Sequence, residues 1–296
     1  MRIFVTGATG FIGSAVVKEL IQAGHQVLGL TRSDAGATAL IAAGAQVHRG
    51  ELEDLESLRS GATQSDAVIH TAFNHDFSRF AANCELDNNA IDTLGSALAG
   101  SNRPLIVSAG VGFLAPGRLA TEDMDAPPIN PAFPRASEQK ALATIAQGVS
   151  ARVVRLPQVH DPVKQGLVTY LVAVARQKGV SAYVGDGLNR WSAGHVLDCA
   201  RLYRLALEKG TTGARYHAVG EEGVQLREIA EALGRGLNIP VVSKSREEAA
   251  EHFGFLGHFA GADIPASSAI TQQQLDWHPT GPGLISDLDK MNYSEA

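Results

Sequence analysis

The chain has 296 residues, of which 45% are hydrophobic and 19% charged, and a formal net charge of −6. That length suits one large α/β domain, or a domain with a smaller appendage, and the acidic balance argues against a nucleic-acid partner. There is no run of about 18 apolar residues, so no membrane span is expected. A strand opening at Arg2 leaves no room for a signal peptide, so a cytoplasmic location is expected.

Residues 2–5 read as an apolar strand that runs into glycines at Gly7, Gly10 and Gly13, and Val16, Val17, Leu20 and Ile21 then mark one helical face. In such a turn Gly7 permits a sharp exit from the strand. Gly10 lets a pyrophosphate approach the backbone, and Gly13 lets helix and strand pack closely. The helix N-terminus adds unpaired N–H groups and a positive dipole end. Gly7, Thr9, Gly10, Phe11, Ile12 and Gly13 are therefore the expected dinucleotide-binding residues of this turn.

Further along, strands are read at 26–30, 45–49, 67–70, 105–107 and 152–156. Helices are read between them at 34–43, from Asp54 to Arg59 with Gly61 as stop, at 77–99, and from an N-cap at Ser137 to Gly148. This alternation implies an α/β fold with a Rossmann-type doubly wound parallel sheet. After Asp161 the rhythm changes. A helix at 166–178 precedes short segments around Tyr183 and Ala193, a helix capped by Asp198, a returning strand near 215–219 and a helix at 225–237. The expected organisation is a dinucleotide-binding domain at 1–160 and a smaller, mainly helical substrate-binding region at 161–296, interleaved with the sheet.

After the second strand, Arg32 offers a planar charge and Ser33 a hydroxyl to a ribose 2′-phosphate, which favours NADP(H) over NAD(H). Asp34, an acid suited to ribose hydroxyls, is the competing reading.

The turn Thr6-Gly7-Ala8-Thr9-Gly10-Phe11-Ile12-Gly13 resembles that of the extended and atypical short-chain dehydrogenase/reductases, the group containing nucleotide-sugar epimerases and dehydratases. The likeness continues in His70-Thr71-Ala72-Phe73, in the stretch from Arg155-Leu156-Pro157 to Pro162, in His195-Val196-Leu197-Asp198 and in Leu275-Asp276-Trp277. It implies that Thr71, Ala72 and Phe73 form a turn over the cofactor, and that Leu156 and Pro157 lie beside the nicotinamide. It also implies that Glu51 and Leu52 meet the adenine.

The group normally works with Tyr-x-x-x-Lys and a hydroxyl after the fifth strand. Here residues 133–140 read Phe-Pro-Arg-Ala-Ser-Glu-Gln-Lys. Matching Lys140 to the lysine puts Ala136 at the tyrosine, whereas matching Ser137 to the serine that often precedes the lysine puts Pro134 at the tyrosine and Glu138 at the lysine. Neither register has both residues. The usual hydroxyl position falls on Gly110, and Ser108 stands nearer the strand end, where it also counts as a cofactor contact.

Candidates for handling a proton are therefore Ser108, His75, His160 and Lys140, histidine being the natural carrier near neutral pH. Arg135 reads either as a binder of a substrate anion or as a flanking loop residue, and His195 as a core partner of Asp198. Phe73, Phe77, Phe80, Phe113 and Leu114 line an apolar pocket or pack in the core. No metal-ligand spacing and no Gly-x-Ser-x-Gly elbow is present.

The expected activity is NADP(H)-dependent hydride transfer to or from a small carbonyl or alcohol substrate with a non-standard proton donor, in a monomer or homodimer. An NADP(H)-binding sensor without chemistry is the alternative, and a sugar-nucleotide epimerase or dehydratase a third.

Overall fold

The structure is a computed structural model and describes residues 1–130 and 133–294. The first half alternates as read: β1 (Arg2–Thr6), α1 (Phe11–Gln22), β2 (Gln26–Thr31), α2 (Asp34–Ala42), β3 (Gln46–Arg49), α3 (Leu55–Thr63), β4 (Ala67–His70), α4 (Phe80–Leu98), β5 (Pro104–Gly110), α5 (Ser137–Ala143) and β6 (Ser150–Leu156). The second half holds β7 (Gln158–His160), α6 (Val168–Lys178), β8 (Ser181–Val184), β9 (Arg190–His195), α7 (Val196–Glu208), β10 (Arg215–His217), β11 (Glu221–Gln225), α8 (Leu226–Leu237), β12 (Val241–Lys244), α9 (Arg246–Phe253), α10 (Gly257–Ala260), α11 (Ala269–Leu275) and α12 (Leu284–Lys290).

The main sheet has seven parallel strands in the order β10-β6-β5-β4-β1-β2-β3. This is a Rossmann-type α/β fold. Between β1 and β4 the strand order reverses, the point at whose carboxyl side open α/β sheets bind their ligands. Each face is buried by its own helices. Val16 and Leu20 of α1 pack with Leu202 and Tyr203 of α7 on one side, and Leu58, Ile91 and Leu94 pack on Phe4 and Val68 on the other. A separate cluster around Trp191, Leu233 and Phe253 forms the core of the C-terminal elements. There β7, β9 and β11 make a three-stranded sheet and β8 pairs with β12. No helix among the described residues is long and apolar enough to cross a membrane.

Several local readings need correction. Gly61 does not stop α3; it lies inside the helix, where a Cβ would fall 2.4 Å from the Phe4 ring, so its absent side chain lets α3 close on β1. The N-cap of α5 is Ala136, and Ser137 is the first helical residue. Asp198 does not cap α7: His195 does, its Nδ1 accepting from the Leu197 N–H, while Asp198 accepts from the backbone N–H groups of Thr280 and Gly281. The expected His195–Asp198 pair is replaced by this capping bond.

Because Gly61 faces an aromatic ring with no room to move outward, Gly61→Val should destabilise the fold by roughly 1–3 kcal/mol. Urea unfolding should then show a lower midpoint with an unchanged slope; an unaltered midpoint would refute the packing role.

Candidate functional site

The glycine turn has the geometry that the spacing demands. Gly7 sits at φ 67° and turns the chain off β1, and the Gly10 N–H donates to the Gly7 carbonyl at 2.9 Å. A Cβ on Gly13 would lie 2.0 Å from that same carbonyl oxygen, so α1 is pressed against the turn. A Cβ on Gly7 would meet the Ala72 backbone at 2.7 Å, which brings the loop after β4 down onto the same place. Thr71 fixes that loop by donating its hydroxyl to the Thr6 carbonyl at 2.8 Å. No side chain caps α1, so its first N–H groups stay open beside exposed Thr9 and Gly10. An anionic pyrophosphate fits this cradle.

Beyond β2, Ser33 caps α2 by accepting the Gly36 N–H at 3.0 Å. Asp34 pairs with Arg49 at 2.5 Å. The Arg32 side chain is 77% exposed, its guanidinium 3.9 Å from Glu51. Leu52 is partly buried and packs on the core beneath α3 and α4. At the end of β6, the Leu156 carbonyl accepts from the Val111 N–H at 3.1 Å, and Pro157 follows beside Gly194.

A chain of buried polar groups starts at the switch point. Thr6 Oγ1 lies 2.7 Å from His70 Nδ1, His70 Nε2 lies 3.0 Å from Asp87 Oδ1, and the Ser137 hydroxyl donates to Asp87 Oδ2 at 2.5 Å. Arg135 completes it by donating Nε–H to Ser137 Oγ at 2.9 Å. Burial disfavours the Asp87 carboxylate. The hydrogen bond and charge of His70, with Arg135 and the Ser137 hydroxyl, outweigh that and hold its pKa below the usual range. A carboxylate only accepts, so His70 Nε2 carries a proton toward Asp87, and Nδ1 lies within hydrogen-bond reach of the Thr6 hydroxyl. His70, Asp87 and Ser137 lie 17 and 50 residues apart, so no local spacing marks them as partners.

The chain ends on an aromatic cluster. The Arg135 guanidinium lies 4.2 Å from the centre of the Phe73 ring. Phe73 packs edge-on against Phe80, Phe80 tilts onto Phe133, and Phe133 meets Phe113. Phe113 stacks on His258 at 4.8 Å and is held at φ 64°, a left-handed backbone that a bulky residue rarely adopts. On the other flank Phe77 stacks on Phe255 at 4.6 Å. The rings of the loops after β4 and β5 thus pack directly on those of α6 and the segment 255–259, as one partly exposed aromatic cluster.

The four proton-handling candidates fall in different places. His75 lies exposed at the edge of this cluster between Phe73 and Phe77, and partial desolvation with the Arg135 charge lowers its pKa. Ser108 is buried. Its hydroxyl donates to the His70 carbonyl at 2.8 Å and shares a second bond with the Tyr203 hydroxyl at 2.6 Å, tying β4, β5 and α7 together. His160 is 1% exposed and bonded through Nδ1 to Asp287 at 2.7 Å, with the His195 ring 5.7 Å away. Lys140 reaches Asp92 at 2.6 Å on the outer side of α4 and α5. Of the four, the structure brings only His75 to the aromatic cluster.

Neither register supplies the tyrosine–lysine pair. Pro134 precedes the helix, Ala136 is buried, and Glu138 is enclosed by Arg155 at 2.6 Å and Arg215 at 2.8 Å. Among the described residues no group of three His, Cys, Asp or Glu is placed to hold a metal ion.

Comparison with known proteins adds to this geometry. The NAD dependent epimerase/dehydratase family matches residues 3–219. An uncharacterized protein of Schizosaccharomyces pombe is 50% identical over 97% of this chain and 98% of its own. The decarboxylating sterol-4-alpha-carboxylate 3-dehydrogenase of Dictyostelium discoideum is 30% identical over 77% of this chain and 74% of its own. Among solved structures, a dTDP-glucose 4,6-dehydratase from Streptomyces venezuelae with NAD and TYD bound superposes with a TM-score of 0.78. It covers 100% of this chain and 97% of that one at 22% identity, a likeness of fold.

The depressed Asp87 pKa carries a stability consequence. Its contribution is complete above the ordinary aspartate value of 3.8 and is lost as pH falls through the lower native value. Asp87→Asn should cost roughly 1–3 kcal/mol at neutral pH. Urea unfolding of both proteins should show this gap at pH 7 and its closure toward acid; a gap independent of pH would contradict the ionised role.

Proposed function

This chain belongs to the NAD-dependent epimerase/dehydratase family, and from that premise we propose that it is an NADP(H)-dependent oxidoreductase acting on a small, apolar carbonyl or alcohol substrate. The observation that carries the reading is the juxtaposition at the switch point: an uncapped helix N-terminus behind a glycine turn, continuous through Thr71, Ala72 and Phe73 with a partly exposed aromatic cluster. The Dictyostelium relative, by its name a 3-dehydrogenase, supports hydride chemistry over epimerisation.

The bound dinucleotide supplies the hydride chemistry. The chain's own residues orient it and handle the proton. The N–H groups at Phe11, Ile12 and Gly13 face the phosphates, and Arg32 with Ser33 takes a 2′-phosphate, Asp34 being engaged by Arg49. Glu51 and Leu52 would flank the adenine, and Leu156, Pro157 and the 71–73 turn would hold the nicotinamide. His75 gives the proton to the substrate oxygen. Ser108, His160 and Lys140 act as ties within the fold, because their polar atoms are already engaged by Tyr203, Asp287 and Asp92. A sensor that binds NADP(H) without turnover is the second reading, favoured by the missing tyrosine and lysine.

Fluorescence titration with NADPH and NADH, followed by NADPH oxidation with a panel of aryl and alkyl ketones, tests the proposal. Turnover supports the oxidoreductase, tight binding with no turnover supports the sensor, and no binding refutes both. Arg32→Ala should weaken NADPH about tenfold and leave NADH nearly unchanged, since a charge-assisted phosphate contact contributes about 1.5–3 kcal/mol.

If His75 donates the proton, the reduction rate should fall as pH rises through its lowered pKa, below the ordinary histidine value of 6.5. His75→Asn should lower kcat at least tenfold and flatten that limb. An unchanged pH profile would exclude His75.

A further inference from the structure

Arg135 differs from other enclosed arginines of this protein in its terminal amino groups. Arg155 is held by Glu138, Arg204 by Glu19 and Glu208, and Arg152 by the Ala206 and Leu207 carbonyls. Arg135 is half-buried, and its one hydrogen bond within the described residues runs from Nε to the Ser137 hydroxyl. Its two terminal amino groups have no carboxylate or carbonyl partner there. Asp87 acts on its charge, but both Asp87 oxygens are taken, one by His70 and one by Ser137. The acids of the neighbouring loops are committed to their own turns. Asp76 accepts from Ser78, and Asp161 accepts the backbone N–H groups of Val163 and Lys164.

A partly desolvated guanidinium with an open edge favours an anion, and its planar fork matches a carboxylate in bidentate fashion. Its surroundings are apolar: Phe73 beneath it, with Phe80, Phe133 and Phe113 continuing the wall. Lys164, the other cation near His75, lies 5.8 Å from the Phe11 ring, on the glycine-turn side where phosphates are expected. Arg135 is instead anchored through Ser137 and Asp87 to α4 and lies over Phe73, the last residue of the 71–73 turn.

We infer that the substrate is an apolar molecule carrying a carboxylate, and that Arg135 receives this carboxylate against the Phe73 face. This rests on the oxidoreductase reading for the presence of a substrate, but its test reads binding.

The NADPH-loaded full chain is titrated calorimetrically with benzoylformate and para-acetylbenzoate, each against its methyl ester; the two acids differ in the distance from ketone to carboxylate. At least one acid should bind about tenfold more tightly than its ester. Arg135→Gln should abolish that preference while leaving NADPH affinity unchanged, and Arg135→Lys should keep part of it. Three results would overturn the inference: esters that bind as well as acids or no binding of either, a preference that survives in R135Q, or a loss of NADPH affinity in R135Q that accounts for the effect. NADPH oxidation is followed in the same samples. An acid preference without oxidation leaves the inference standing and counts against the oxidoreductase reading, so the two failures are separable.

Discussion

The hydrogen bond between Thr6 and His70 crosses the seam between β1 and β4, whose terminal residues pair directly in the sheet. Connections leave this seam toward opposite faces, so backbone cannot fill the space beyond it. A polar chain placed there must be satisfied at every member, because an unpaired buried group costs about 1–3 kcal/mol. Each member here is satisfied: Thr6 by His70, His70 by Asp87, Asp87 by Ser137 and Ser137 by Arg135. The chain runs from the glycine turn to the first residue of α5. It therefore fixes the start of α5, and the guanidinium before it, relative to the cofactor cradle. Ser108 reinforces the seam from behind by donating to the His70 carbonyl.

A second buried cluster explains why the usual catalytic pair is missing from α5. Glu138 stands where one register would place the lysine, and it is enclosed by two guanidinium groups rather than facing a cleft. Arg155 also donates to the Met124 carbonyl, anchoring the long connection between β5 and α5 to β6. His217 can lie 3.2 Å from the same guanidinium because burial and the Arg155 charge push its pKa down to about 4. As a neutral ring it accepts from Arg155 through Nε2 and donates from Nδ1 to the Ser267 carbonyl. Breaking one partner from such a cluster typically costs about 3–5 kcal/mol, so these positions are held by the fold and are not free for chemistry.

The parallel sheet was legible because its signals are local. Short apolar runs, glycine stops and the alternation of two periods placed six strands of the main sheet to within a few residues. The glycine turn was legible for the same reason: its three glycines lie within seven residues and each answers a backbone requirement visible in the geometry. Where the reading slipped, a tertiary contact decided. Gly61 looked like a helix stop, yet Phe4, far away in sequence, makes it a packing residue. Asp198 looked like a cap, yet the loop at Thr280 and Gly281 claims its carboxylate. His160 is a histidine after a strand and reads like any loop imidazole until Asp287, 127 residues later, closes on it. The Thr6–His70–Asp87–Ser137 chain carried no signal because no two of its members share a local motif.

The aromatic cluster also shows how an acidic protein can present a local positive site. The net charge of −6 is spread over a surface where water screens it. At the cluster, aromatic rings replace water on one side, so a nearby charge acts through a lower effective dielectric and its influence strengthens. Arg135 suits such a place better than a lysine would. Its plane stacks on Phe73 and one edge bonds to Ser137, and these two contacts fix the guanidinium without neutralising it. An ammonium on a flexible stem would swing toward Asp87, the acid within electrostatic reach. The ring and the hydroxyl thus keep cation and carboxylate in register but apart, and the open edge of the guanidinium stays directed by geometry rather than by charge alone.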